Sequence, residues 1–276
     1  MMQLRNFFAV RALFVTPLFF TLALGGAPAL ATGLAGEDGT AAPALAATSR
    51  ATVSPLVELY TSEGCSSCPA ADDWLRQLGA SLAQNFHAVP LAFHVDYWNR
   101  LGWTDPYSKP AFSARQREVA ARVQQRAIYT PQFTVDGRDA RGGANIIRAI
   151  RTANARPAQA HIKLHIRRAA NGIAVRIEVD SAHDSAQAYL ALYESGITRQ
   201  IGGGENRGKT LRHDFVVRHF SRPFAIRRGA NRDDRALDLP ADWQRANLGV
   251  AVLVLDRASG ATVQTLNASL APLFAI

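Results

Sequence analysis

The sequence predicts two folded units in series, an α/β domain and then an all-β, sandwich-like domain. Three observations predict this. Between residues 55 and 156, short apolar runs alternate with amphipathic runs of helical period. After Pro157 the period changes to two, with Ile162, Leu164 and Ile166 alternating, then Ile173, Val175, Ile177 and Val179. The only two cysteines, Cys65 and Cys68, stand where an apolar run gives way to an amphipathic one, with two residues between them.

Taken in order, the chain opens with a secretory pattern. Arg5 and Arg11 carry charge, residues 12–24 form an apolar core, and Ala29-Leu30-Ala31 is a small-x-small cleavage site. The core is shorter than the ~20 residues that a spanning helix needs. Residues 1–31 are therefore expected to be a cleaved signal peptide and the mature chain to be exported, in a bacterium to the periplasm, where disulfides persist. Residues 32–54, rich in Ala, Gly, Thr and Pro, are expected to be a flexible linker.

The domain over 55–156 is expected to begin with a strand at residues 56–61, followed by a helix over 65–83 whose apolar face carries Cys68, Ala71, Leu75, Leu78 and Leu82. A largely apolar strand over 88–95 comes next, then an irregular aromatic stretch to Pro110. A helix over 112–126, a strand at 133–135, a turn at Asp136-Gly137, a short partner strand and a helix over 144–155 complete it. Strand, redox helix, strand, helix, hairpin, helix is the thioredoxin order. The fold class expected is thus an α/β thioredoxin-like domain followed by an all-β sandwich-like domain over 157–276. In the latter, Asn171-Gly172 marks a hairpin, and further strands are expected near 189–193, 215–217, 250–255 and 261–266.

The chain has 31 basic and 22 acidic residues, a formal net charge of +9. The excess is dispersed arginine, with no basic stripe interleaved with aromatics, so nucleic acid is not an expected partner.

A CxxC at a strand–helix turn reads as a redox pair. Cys65 is the candidate nucleophile, expected partly exposed at the first helical position, where free N–H groups and the helix dipole favour a thiolate. Cys68, one turn in, is the candidate resolving thiol. A loop this short would be a weak structural staple. Glu58, in the strand leading to the turn, is either a proton relay beneath the cysteines, its pKa raised by burial, or an acid that faces solvent or pairs with an arginine. Glu63 is expected to be exposed. His94, Asp96, Tyr97 and Trp98 follow the second strand at the end where open α/β sheets bind ligands, and are expected to wall a substrate groove. His94 and Asp96 form an acid–base candidate, since alternate strand residues share a face. Trp103 is expected to pack. Residues 202–210 lack the phosphate-loop pattern and read as a glycine-rich loop between strands. One placement for that loop is back over the turn at Cys65.

The blocks VELYTSEGCSSCPAAD, FHVDYWNRLGWTDPYS, ARQR, IYTPQFTVDG and GENRGKTLRHDFVVR resemble the family called domain of unknown function 1223, secreted bacterial proteins with a thioredoxin-like region. The resemblance runs from about Pro55 to the C-terminus and includes His213 and Asp214. It implies that Pro131 is the cis proline that faces the CxxC in thioredoxin-like proteins, with Thr130 placed to hydrogen-bond a cysteine sulfur. The expected activity is thiol–disulfide exchange on a protein or small-thiol substrate, with an upstream redox partner, no organic cofactor and no stable membrane span after cleavage. Two alternatives stay open. One is copper(I) binding or delivery through the same sulfurs, with His87 and His94 as added ligands. The other is a non-catalytic interaction protein.

Overall fold

A computed structural model describes residues 44–275. The expected signal segment and the first part of the expected linker lie outside the described residues. The rest of that segment is not simply a linker. Ala44–Thr48 forms strand β1, paired antiparallel with a strand of the C-terminal half, and Leu45 and Ala47 pack on the core beneath.

Strand β2 (Leu56–Thr61) is buried along its whole length, as a strand covered on both faces must be. Helix α1 (Cys68–Asn85) leads to β3 (Val89–His94), which lies parallel to β2 with Leu56 opposite Val89 and Thr61 opposite His94. Helix α2 spans Pro110–Arg122. Strand β4 (Gln132–Val135) returns antiparallel to β2 and turns into the short β5 (Arg138–Asp139). Asp136 and Gly137 at that turn have φ of 55° and 74°, the two positive values that a type I′ turn requires. Helix α3 covers Gly143–Asn154.

The remainder is almost all strand. The hairpin β6 (Ala160–Ala169) and β7 (Gly172–Ser181) is followed by β8 (Ala186–Glu194), β9 (Ile197–Gln200), β10 (Thr210–His213) and β11 (Val216–Phe220). Then come β12 (Phe224–Ile226), β13 (Gly229–Asp238), β14 (Leu248–Asp256), β15 (Thr262–Ser269) and a single helical turn, α4 (Ala271–Phe274). Strand β13 pairs with β7 along its full length but escapes the sequence pattern. It is an edge strand rich in Arg and Asp, the composition that keeps an exposed edge from pairing with other chains.

The expected fold class is corrected here. The strands that flank the cysteines do not form an α/β thioredoxin-like domain separate from a sandwich. They are one end of a nine-stranded sheet of order β15-β14-β8-β11-β3-β2-β4-β5, with β12 also on β8. The joint is β3 with β11, parallel at Ala92 and Val216, where the Ala92 N–H donates to the Phe215 carbonyl at 2.8 Å. The described chain is thus mainly β, and Pro157 marks a change of period inside one compact unit. Periodicity identifies strands; it does not say which strand completes another's open edge.

The cores follow the same division of faces. On the C-terminal half of the large sheet, Leu190, Leu192, Val250 and Val252 meet Ile162, Leu164, Val175 and Ile177 of the four-stranded sheet β1-β6-β7-β13. A second core draws on both halves, joining Leu56, Tyr60 and Phe93 to Tyr189, Val217 and Leu253 beneath Phe112 of α2. Helices α1 and α3 cover Val57, Leu59 and Val135 with Leu75, Leu78, Ile146 and Ile150. Among the described residues, no helix is long and apolar enough to cross a membrane.

Candidate functional site

Strand β2 delivers the chain to the cysteines. The Thr61 carbonyl accepts the Val95 N–H at 2.9 Å, and the backbone then turns. The Cys65 N–H donates to the Ser62 carbonyl at 3.2 Å, and the Gly64 N–H donates to Ser62 Oγ at 3.1 Å. Cys65 and Cys68 are joined in a disulfide. Helix α1 starts at Cys68, with Pro69 in the first turn, where a missing N–H costs nothing. Cys65 therefore sits in the turn rather than in the helix, and it is buried rather than partly exposed. The exposed residues are Ser66 and Ser67. Ser67 occupies the N-cap position without making a cap bond, and its hydroxyl lies 3.4 Å from Cys65 Sγ.

A strap from the C-terminal half covers this turn. It is the segment between β9 and β10, and it crosses the turn with Glu205 and Asn206. The buried Asn206 side chain donates from Nδ2 to the carbonyls of Glu63 at 2.9 Å and Cys65 at 2.8 Å. The Ser66 N–H donates to Glu205 Oε2 at 2.9 Å, and hydrogen bonding from Ser66 holds the Glu205 carboxyl below its usual range. Close approach requires glycine in the strap: a Cβ on Gly203 would stand 2.3 Å from the Gly102 carbonyl oxygen, and one on Gly202 would meet the Trp103 ring at 3.0 Å. The loop's placement over Cys65, considered from sequence, is the observed one.

Behind the turn lies a buried group of charges. Glu63, expected at the surface, has no exposed area. Its N–H donates to Asp105 Oδ2 at 2.9 Å, and its Oε2 accepts the Trp103 indole N–H at 2.8 Å. Its Oε1 faces His213 Nε2 at 3.3 Å and Arg199 Nε at 3.6 Å. His213 Nδ1 faces Asp72 Oδ2 at 3.5 Å. Asp72 lies on α1 four residues past Cys68, hence on the same side of the helix. At these distances the two carboxylates act on His213 as ion-pair partners. Burial alone would lower the His213 pKa, but Asp72 and Glu63 outweigh it and push the pKa up to about 9. The imidazole is a cation at neutral pH.

His94 Nδ1 and Asp105 Oδ2 are 2.7 Å apart. Burial opposes charge on Asp105, yet His94 and the N–H groups of Glu63 and Tyr107 hold its carboxyl below the usual range. The rings of His94 and His213 stand edge to face with centroids 5.1 Å apart. Among the described residues, the buried side-chain polar atoms without a hydrogen-bond partner all belong to this region: Thr61 Oγ1, Glu63 Oε1, His94 Nε2, Arg199 Nε and both ring nitrogens of His213.

Other expected site residues are placed differently. Alternation along β2 sends Glu58, with Leu56 and Tyr60, toward α2, while α1 covers Val57 and Leu59. There Arg115 Nε donates to Glu58 Oε1 at 2.6 Å, the Tyr60 hydroxyl donates to the same oxygen at 3.0 Å, and the Thr134 hydroxyl to Oε2 at 3.0 Å. Glu58 is thus half of a buried ion pair on the sheet face away from α1, and not a proton relay beneath the cysteines. Asp96 does not pair with His94, because β3 ends at His94 and the alternation stops. Instead the Asp96 N–H donates to Ser113 Oγ at 3.1 Å, and the Ser113 hydroxyl donates to the Asp96 carboxylate. The Tyr97 hydroxyl donates to Gln116 Oε1 at 3.2 Å.

Trp98 does border the turn. A Cβ on Gly64 would stand 3.3 Å from Trp98 Cβ. Its indole N–H donates to Thr130 Oγ1 at 2.7 Å, so the Thr130 hydroxyl serves Trp98 rather than a sulfur. The Thr130–Pro131 peptide is cis. Because Gln132 lies opposite Tyr60, Pro131 is level with Thr61 at the cysteine end of β2. His87 and His94, the nitrogen ligands considered for copper, lie before and at the end of β3, and His87 Nε2 contacts Thr52 Oγ1 at 3.0 Å. Glu63, Asp72, Arg199, Asn206 and His213 were not singled out as candidates from sequence. They come from segments far apart in the chain; the blocks shared with the family contain Glu63, Asp72, Asn206 and His213 but not Arg199.

The family model described as "Protein of unknown function (DUF1223)" matches residues 56–255. Among solved structures, protein AGR_C_4864 from Agrobacterium tumefaciens is similar at 26% identity and a TM-score of 0.58, over 80% of this chain and 96% of that one. HBP35 of Porphyromonas gingivalis is similar in fold, at 12% identity and a TM-score of 0.58, over 80% of this chain and 76% of its own. No curated protein matches the sequence.

Proposed function

The chain belongs to the DUF1223 family, and from that premise we propose that it is an exported thiol–disulfide oxidoreductase in which Cys65 and Cys68 carry the exchange. The observation that carries this reading is the disulfide at the start of α1, where Cys68 occupies the first helical position. Free N–H groups and the helix dipole stabilise a thiolate there. Exchange runs fastest when the departing sulfur is the stabler thiolate. A partner thiolate accordingly attacks Cys65 Sγ, the bond between Cys65 and Cys68 breaks, and Cys68 departs as a thiolate. A second partner thiol then attacks the mixed disulfide and releases Cys65. Two electrons pass from the partner to the pair, and the partner's two thiol protons end on the two cysteines. The partner leaves with its own disulfide.

A structural role accounts poorly for the same bond. Loop-closure entropy rises with loop length, so a bridge spanning two residues constrains the unfolded chain little. The Ser67 hydroxyl beside Cys65 Sγ is a ready donor to sulfur in the attacked position. Three hydrogen bonds hold the strap to the backbone of the turn, two donated by Asn206 and one accepted by Glu205 from Ser66, so the strap fixes the loop that presents the pair.

The test follows the protein from an exported fraction. Intact mass is expected to show a chain beginning past residue 31, with the pair oxidised and reducible by glutathione. With a protein dithiol as partner, the oxidised wild-type pair is expected to be reduced. In the reverse direction, with a protein disulfide as partner, reduced Cys65→Ser is expected to be inert and reduced Cys68→Ser to trap a mixed disulfide at Cys65, because no Cys68 thiol is there to displace the partner. A wild-type pair inert to thiols, or a Cys68→Ser variant that still turns over, would remove the proposed chemistry. A retained N-terminal segment would remove export.

A further inference from the structure

We infer that His213 is a positioning residue for this pair: standing between Asp72 and Glu63, it offsets their charge beside the disulfide and so favours the Cys68 thiolate formed when the bond opens. The inference rests on the thiol–disulfide reading above.

The geometry brackets the cysteines with acid. Glu63 precedes Cys65 by two residues, and Asp72 lies one helical turn beyond Cys68. Both are buried, and both face His213, at 3.3 and 3.5 Å. Unopposed, two buried carboxylates would raise the pKa of a neighbouring thiol and disfavour its anion. The groups facing His213 come from every element around it: Glu63 from the turn, Asp72 from α1, Arg199 from β9, and from β3 His94, which is paired with Asp105. The Tyr107 ring is 6.2 Å away, and burial raises its pKa, so it stays neutral. Arg199 is 36% exposed, and solvent and salt screen its charge. His213 is 1% exposed and contacts both acids, so its charge acts on them with little screening.

A second observation points the same way. The buried charged groups around His213 meet at ion-pair distances, with Arg199 adding a third contact, to Glu63, at 3.6 Å. Beside them the buried Thr61 Oγ1 and His94 Nε2 have no hydrogen-bond partner. A buried charge cluster drawn from residues that flank the cysteines is a setting that shifts a thiol's titration. In the opening step His213 moves no proton. The partner thiolate bonds to Cys65 Sγ, the electron pair of the broken bond stays on Cys68 Sγ, and the imidazolium balances the negative charge gained within the buried group.

The experiment compares wild type, His213→Gln and Asp72→Asn. Each is equilibrated with reduced and oxidised glutathione and scored by alkylation and mass. Cysteine alkylation rate against pH gives the thiolate titration. His213→Gln is expected to lower the equilibrium constant for reduction about tenfold, ~30 mV for a two-electron couple, and to raise the thiolate titration by about one unit. Asp72→Asn is expected to shift both in the opposite direction. A general loss of packing would not produce opposite signs. Circular dichroism reports folding, and Asp72→Asn carries the test alone if His213→Gln does not fold. Unchanged potentials, or shifts of one sign in both variants, would overturn the inference. A wild-type pair inert to glutathione would instead overturn the thiol–disulfide reading beneath it.

Discussion

Replacing Arg115 with methionine tests the assignment of Glu58 to the structure rather than to the chemistry. The two side chains are 6% and 1% exposed and meet at 2.6 Å. The guanidinium also lies over Phe220 at 4.9 Å and over Phe93 and Tyr189 at 5.4 Å, so it joins rings from both halves of the chain. Methionine refills much of the aromatic contact, but it leaves the Glu58 carboxylate buried with only the hydroxyls of Tyr60 and Thr134 as partners. Breaking a buried pair from one side costs about 3–5 kcal/mol. For a domain of this size that corresponds to a fall in Tm of roughly 6–20 °C. Urea denaturation followed by circular dichroism reads the loss. Adding Glu58→Gln removes the orphaned charge and keeps an acceptor for one hydroxyl, so the double variant is expected to recover most of the stability. Glu58→Gln alone should leave thiol exchange at the wild-type rate. An Arg115→Met protein within about 1 kcal/mol of wild type, or a double variant no better than the single one, would refute the reasoning.

Two further outcomes bear on the fold around the cysteines. The His213 pKa is raised from 6.5 to about 9, so its contribution to stability is complete below pH 6.5 and is lost as the pH rises through 9. The contribution is about 3 kcal/mol; urea midpoints at pH 6 and pH 10 should diverge in wild type and converge in His213→Gln, and equal losses in both proteins would count against it. Gly79 lies within α1, where alanine would ordinarily add roughly 1 kcal/mol of helix stability. Here a Cβ would stand 2.4 Å from Phe215 Cζ, and Phe215 itself has a φ of 58°. Gly79→Ala is therefore expected to destabilise by about 1–3 kcal/mol, and a stabilised variant would show that the ring moves aside freely.

The division between sequence and tertiary structure can be followed residue by residue. The turn at Asp136-Gly137, the hairpin from β6 to β7, the apolar character of β2 and β3 and the strand–turn–helix setting of Cys65 and Cys68 were all legible, because each depends on neighbours within a few positions. The family was legible for a related reason, since its blocks lie intact along the chain. Glu58 shows where local evidence stops: its position in β2 was clear, but α1 and α2 lie on opposite faces of that strand, and Arg115 waits 57 residues away. The joining of β3 to β11, which merges two expected domains into one sheet, rests on backbone hydrogen bonds that carry no side-chain signature.

The site's charge was hidden in the same way. Glu63 looked like an exposed turn residue because nothing nearby could neutralise it. Trp103 reaches it from the loop after β3, and Arg199 and His213 reach it only after the strands of the C-terminal half are in place. The sequence alone determined that two cysteines would meet at the mouth of a strand and the start of a helix. Only the tertiary structure decided that they would be covered by a strap and underlain by a histidine between two acids, because burial and long-range Coulombic partners exist only once distant segments are packed together.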